Sequence, residues 1–204
     1  MKILFNTLLF LVFLYTGIIY SQHNQLQLNK TSETHNIDGI INEKEWSDAK
    51  KIQLERTQEW KIDVLVSYDD LYIYVAFANL EGTDQTRLNA EILVQTKIDE
   101  NGWDENTFWF HSSYGNCYSQ GEYYNWEHCS NNPSGWNANT YPFKNGNDNI
   151  EFKISFAALQ MEAPLSGAKL RVAFKMSGAD EIHTYWPKNA SIESPSSWGL
   201  LYFE

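Results

Sequence analysis

Trp60-Lys61-Ile62-Asp63-Val64-Leu65-Val66-Ser67-Tyr68-Asp69-Asp70-Leu71-Tyr72-Ile73-Tyr74-Val75-Ala76-Phe77 is the stretch that decides the fold. Its first half sets Trp60, Ile62, Val64, Val66 and Tyr68 against Lys61, Asp63 and Ser67, the period-two pattern of a half-buried strand. Asp69-Asp70 then supplies turn chemistry, and an apolar run resumes at Leu71. Residues 60–80 therefore read as a β-hairpin.

Outward from this hairpin, further strands are expected at 90–98, 150–156, 170–176 and 198–203. Helix signals are few and short. Asn42 can cap a turn through Glu45, Trp46 and Ala49, and residues 156–161 can form another. Many strands separated by turn residues describe an all-β protein. The expected fold is an antiparallel β-sandwich with immunoglobulin- or jelly-roll-like layers, short helical turns and one long aromatic loop insertion. A length of 204 residues suits a single domain with one core.

Lys2 precedes an uncharged, mostly apolar run over residues 3–19, and Ser21 offers a small residue at a cleavage point. Residues 1–21 thus read as a secretory signal peptide, with Gln22 opening a mature domain over 22–204. The alternative is a retained membrane anchor, because the run approaches spanning length. No Cys follows it, which argues against a bacterial-type lipid anchor. The expected location is secreted, periplasmic or at the cell surface. Fifteen Lys and Arg against 26 Asp and Glu leave a net charge of -11. Such a molecule is repelled by phosphate backbones and anionic lipid, so nucleic acid is not an expected partner.

Residues 99–149 break the alternating rhythm. Twelve aromatics fall between Trp103 and Phe143, interleaved with Asn, Ser and Gly rather than Val, Ile and Leu. Binding loops favour rigid amphipathic rings among small polar residues, and long ordered loops commonly carry binding. The competing reading is an insertion that builds its own aromatic mini-core. By sequence context Trp46, Trp60 and Trp198 belong to the core. Trp103, Trp109, Trp126, Trp136 and Trp186 lie in polar surroundings and are expected to be exposed.

Cys117 and Cys129 both lie in this segment, and in an exported protein they pair most simply as a disulfide. A metal site with His111 and His128 is the alternative, although its spacing matches no familiar zinc pattern. Asp99, Asn101 and Asp104 gather oxygen donors around Gly102, which admits a calcium loop beside the plainer reading of a solvated acidic turn. No other cofactor is expected. Nucleophile elbows, zincin motifs and phosphate-binding Gly loops are all missing from the sequence. Paired carboxylates are too unspecific a signal among 26 acids, so the chain does not read as an enzyme.

Ile37-Asp38-Gly39-Ile40-Ile41-Asn42-Glu43-Lys44-Glu45-Trp46-Ser47-Asp48-Ala49 resembles the opening motif of family 9 carbohydrate-binding modules and their DOMON-type relatives. The 64–75 hairpin is similar to their next element, with its turn at Asp-Asp into Leu-Tyr. Ile150-Glu151-Phe152-Lys153-Ile154-Ser155-Phe156 with Leu159, and Trp198-Gly199, are similar to their late strands. The likeness runs in order through most of residues 22–204, interrupted by the Cys-containing aromatic insertion.

The resemblance implies a non-catalytic module whose partner is a carbohydrate ligand. A pyranose presents an apolar face to Trp or Tyr and hydroxyls to polar side chains. The residues expected to bind are Trp103, Trp109, Trp126 and Trp136, with Tyr114, Tyr123, Glu91, Arg87 and Asn125 as polar or edge contacts. The DOMON branch implies haem binding and electron transfer instead, for which Met176, His111 and His183 are the available axial ligands. A secreted adhesin using the same rings on another protein is the third reading.

Overall fold

A computed structural model describes residues 24–80, 88–113, 115–122, 134–140, 148–178 and 180–204. The strands, in chain order, are β1 (Gln25–Leu28), β2 (Lys50–Glu55), β3 (Lys61–Tyr68), β4 (Tyr72–Leu80), β5 (Leu88–Gln95) and β6 (Thr107–Ser112). They continue with β7 (Asn116–Gln120), β8 (Trp136–Thr140), β9 (Asp148–Ser155), β10 (Lys169–Gly178), β11 (His183–Trp186) and β12 (Gly199–Phe203). One sheet has the order β1-β12-β10-β5-β6-β7, with β11 also pairing β10, and the other has the order β2-β3-β4-β9-β8. The two sheets stack as a β-sandwich.

The hairpin forms as expected, with Val66 opposite Val75 and Tyr68 opposite Ile73. Asp69 closes its turn, accepting the backbone N–H of Leu71 at 2.7 Å and of Tyr72 at 2.8 Å. Ile62, Val64, Val66, Val75 and Phe77 point inward and meet Ile92, Phe110, Val172 and Phe174 from the facing sheet. Burial of these aliphatic and aromatic side chains is the main stabilising term of the fold.

Two expectations are corrected. The sandwich is not wholly antiparallel, because β1 runs parallel to β12, with Leu26 opposite Leu201. That edge is covered by Leu26 and Leu28, while Gln25 and Gln27 face water. The two expected helical turns do form, each about one winding long, marked by Trp46 N–H to Asn42 C=O at 3.2 Å and Leu159 N–H to Ser155 C=O at 3.3 Å. Segments so short cannot by themselves offset the cost of helix nucleation.

The second correction concerns residues 99–149, expected as loops. They supply β6 and β7 to one sheet and β8 to the other. Phe108 and Phe110 are fully buried in the common core, and Trp136 packs edge-on against Phe110 at 5.3 Å. Strand β6 is buried on both faces, so it lacks the polar alternation by which a half-buried strand is recognised.

The motif around Asp38-Gly39 is anchored by Glu151 of β9. Its carboxylate accepts the backbone N–H groups of Asp38 (3.1 Å) and Gly39 (2.8 Å) and the indole N–H of Trp46 (3.0 Å). Gly39 has a φ of 82°, a conformation open to Gly at little cost. Trp46 packs with Tyr74 and Ala76 on the outer face of the five-stranded sheet, where His35 stacks on Tyr74 at 4.2 Å. The motif is thus a staple that seals one face: Trp46 is buried as expected, but against the outer face of the sheet rather than between the two sheets.

Candidate functional site

Strand register sets a row of side chains across the outer face of the seven-stranded sheet. Glu91 of β5 lies opposite Lys175 of β10 on one side and His111 of β6 on the other. His111 in turn faces Cys117 of β7, and Lys175 faces Tyr185 of β11. The neighbouring outward row carries Asn89, Ser177 and His183. These positions alternate with Ile92, Phe174 and Met176, whose side chains fill the inner face.

Glu91 is the hub. Its carboxylate accepts Lys175 Nζ–H at 2.8 and 2.9 Å, Ser177 Oγ–H at 3.1 Å and Trp109 Nε1–H at 2.9 Å. Glu91 and Lys175 are buried, at 2% and 6% exposure. Such a pair stands only because the charges are matched and hydrogen-bonded. Asn89 reaches Ser177 at 3.5 Å, and the Lys175 ammonium sits 6.0 Å from the Tyr185 ring centre. Burial lowers the pKa of the His111 imidazole, with Glu91 pulling it upward and Lys175 pushing it further down. The neutral ring is therefore favoured near pH 7.

Beside this polar floor the sheet face is apolar and capped. Trp109, Leu93 and Ala173 pack beneath Ala190, Ile192 and Trp198. Trp103 lies half-buried over the same cluster, donates its indole N–H to Ile192 C=O at 2.6 Å, and meets Trp198 edge-on at 5.9 Å. Trp109 is only 3% exposed, which corrects its assignment as an exposed ring. Its strand aims it outward from the sheet, but residues 190–198 lie across it. Trp136 is corrected likewise, because it packs against the inner core rather than this face. Trp186, also expected to be exposed, is half-buried on Phe174 at 5.8 Å.

Of the residues expected to bind, the structure brings Trp103, Trp109 and Glu91 to one face and leaves Trp136 on another. Arg87, Tyr114, Tyr123, Asn125, Trp126 and Cys129 lie outside the described residues. Glu91 has its two oxygens engaged by four hydrogen bonds, so it positions Lys175 and Ser177 rather than offering a bare acceptor. Asn89, Lys175, Ser177 and Tyr185 were not anticipated. Their signal is alternation on β10 with Phe174 and Met176, which becomes legible only once β5 is known to be the neighbouring strand.

Among the described residues neither alternative ligand finds its set. Met176 points into the core, while His111 and His183 sit on the opposite face of the same sheet. Met176 therefore cannot share one haem with either histidine as an axial pair. The Asp104 carboxylate is taken up within its own loop, accepting Asn106 N–H at 2.9 Å and Thr107 Oγ–H at 2.9 Å. Among the described residues no three His, Cys, Asp or Glu side chains converge as a metal-binding group, so Asp99, Asn101 and Asp104 are not joined to other acids in a calcium cage.

No protein-family model and no curated protein sequence matches the chain. Solved structures do. A family 9 carbohydrate-binding module from Caldicellulosiruptor kristjanssonii in complex with cellotriose superimposes with a TM-score of 0.63 at 12% identity, covering 88% of this chain and 93% of that one. The same module in complex with glucose gives a TM-score of 0.62 at 12% identity, over 88% and 95%. A putative carbohydrate-binding protein from Bacteroides uniformis gives 0.55 at 11% identity, over 89% and 99%. The chain shares its fold with these carbohydrate-binding modules: two stacked β-sheets of the family 9 type.

Proposed function

We propose that the protein is an exported, non-catalytic carbohydrate-binding module whose site is the polar row on the outer face of the seven-stranded sheet. The observation that carries this reading is the Glu91–Lys175–Ser177 network, which holds polar donors in fixed positions beside an aromatic ring. Half-buried Asn89 both donates and accepts and half-buried Tyr185 adds aromatic surface, the mixture that a sugar's hydroxyls and CH surface require, while buried Lys175 and Ser177 fix the floor beneath them. The fold likeness to modules solved with glucose and cellotriose supports the same class of ligand. Export rests on the reading of residues 1–21 as a signal peptide, and the Cys117–Cys129 disulfide on the compartment that implies. Intact mass of the exported protein checks both, through loss of residues 1–21 and of two hydrogens.

Calorimetry with glucose and cellotriose, paired with thermal melts, tests the function. Asn89→Ala is expected to weaken binding about fivefold to tenfold, the loss of about one net hydrogen bond, while the melting temperature holds. Wild-type protein that binds no glycan across a broad panel would sink the proposal.

A further inference from the structure

Where β2 of one sheet meets β11 of the other, the sandwich edge opens into a groove of about 370 Å³. Half-buried Tyr185 and Trp186 line it together with Gln53 and Glu55, and Lys188 approaches Glu55 to 3.5 Å. Thr184 and His183 complete the lining. The frame is held by Arg56, the residue that follows β2. Its side chain is fully buried and donates to Asp180 Oδ1 at 2.5 Å and to Ile182 C=O at 3.1 Å, while its guanidinium lies 5.3 Å from the Trp60 ring centre. The Trp186 ring is fixed too. It lies so close to Gly199 that a Cβ there would come within 2.6 Å of it, so Gly199 is what admits the ring. Walls set in this way before a ligand arrives reduce the ordering cost of binding.

We propose that this groove is a second binding site, taking one ring of a neutral polyhydroxylated sugar. Its volume lies at the small end of ligand pockets, the size of one or two sugar rings rather than a long chain. Tyr185 and Trp186 supply aromatic surface, and Gln53, Glu55, Thr184 and Lys188 supply hydrogen-bond donors and acceptors. Glu55 and Lys188 cancel each other's charge at the rim, which favours a neutral ligand over an ionic one. Tyr185 belongs both to this groove and to the sheet-face row, so the two sites adjoin. The choice of a sugar rests on the function proposed above, whereas the groove's shape and its frame do not.

Titration of the isotopically labelled full chain with glucose and then cellotriose tests this, reading the side-chain amides of Gln53 and Asn89 and the Trp186 indole by NMR. The expected result is saturable shifts of the Gln53 and Trp186 signals. A Gln53→Ala/Lys188→Ala double variant, at two exposed positions, should weaken that isotherm tenfold or more and leave the Asn89 isotherm and the melting temperature in place. Shifts at Asn89 with silent groove signals would overturn the second site and leave the proposed function standing. So would groove shifts that vanish in Asn89→Ala, because they would report one site rather than two. No shift anywhere with either sugar would count against both proposals.

Discussion

Each sheet carries a buried glutamate on its outer face, and each glutamate accepts a tryptophan indole N–H: Trp109 to Glu91 at 2.9 Å, Trp46 to Glu151 at 3.0 Å. The surroundings differ. Glu91 has a full countercharge, Lys175, together with a serine hydroxyl. Glu151 is surrounded by N–H dipoles, two from the Asp38-Gly39 turn and one from Trp46. Burial pushes the Glu151 carboxyl up to about 7, against the downward pull of those three donors. One carboxylate therefore orients other side chains across a sheet, while the other holds a crossing segment down. The same residue pair serves a surface in one place and a fold in the other, and what separates them is the partner that balances the charge.

The largest expected effect comes from removing that partner. Lys175→Met leaves Glu91 buried without its cation and should cost about 3–5 kcal/mol in urea unfolding. Glu91→Gln added to Lys175→Met should restore most of the loss, because two neutral groups replace a lone charge. A single variant as stable as wild type would show that Glu91 is not desolvated as described.

The second test exploits the other carboxyl. With a raised native pKa, Glu151 binds a proton that the unfolded chain releases above about pH 4.5, so stability should fall as pH rises from about 4.5 to 7 and then level. The shift corresponds to roughly 3 kcal/mol at most. His35 and His111, whose pKa values burial lowers, act oppositely: their contribution is present above about 6.5 and lost as pH falls below it. Glu151→Gln should therefore remove the decline toward neutral pH and leave stability rising between pH 5 and 7. Identical unfolding midpoints against pH for variant and wild type would refute the assignment.

The smallest effect separates the two indoles. Trp46→Phe and Trp109→Phe each delete an N–H donor to a buried carboxylate, at about 1–3 kcal/mol. The Trp109 variant should also shift glycan affinity, because Glu91 holds Lys175 and Ser177, whereas the Trp46 variant should leave affinity alone. Equal binding by both variants would detach the Glu91 network from ligand recognition.

Much of the sandwich was legible because β3, β9 and β10 alternate apolar with polar residues, β4, β5 and β12 read as short apolar runs between turn residues, and Asp69 marks its own turn. Strands β1, β2, β6, β7, β8 and β11 were not anticipated. In β2 only Ile52 and Leu54 are inward apolar positions, and in β6 Trp109 and His111 are buried on the outer face while Phe108 and Phe110 are buried on the inner one. The Asn, Ser and Gly residues between the aromatic rings suggested loops, yet Asn116 opens β7 and Gly135 immediately precedes β8. For the site, Glu91 was anticipated as a contact, but its bond to Lys175 joins residues 84 positions apart. No local spacing can reveal that distance.

The aromatic segment that looked like an appendage completes both layers: β6 and β7 extend one sheet, β8 edges the other, and the Phe110–Trp136 contact joins them. A chain so arranged cannot finish either layer independently of the other. Its folding transition should be a single cooperative event, slowed by the need to bring sequence-distant strands together before either sheet is whole. Shortening the segment to streamline the molecule would then remove strands from both layers at once rather than trim a loop.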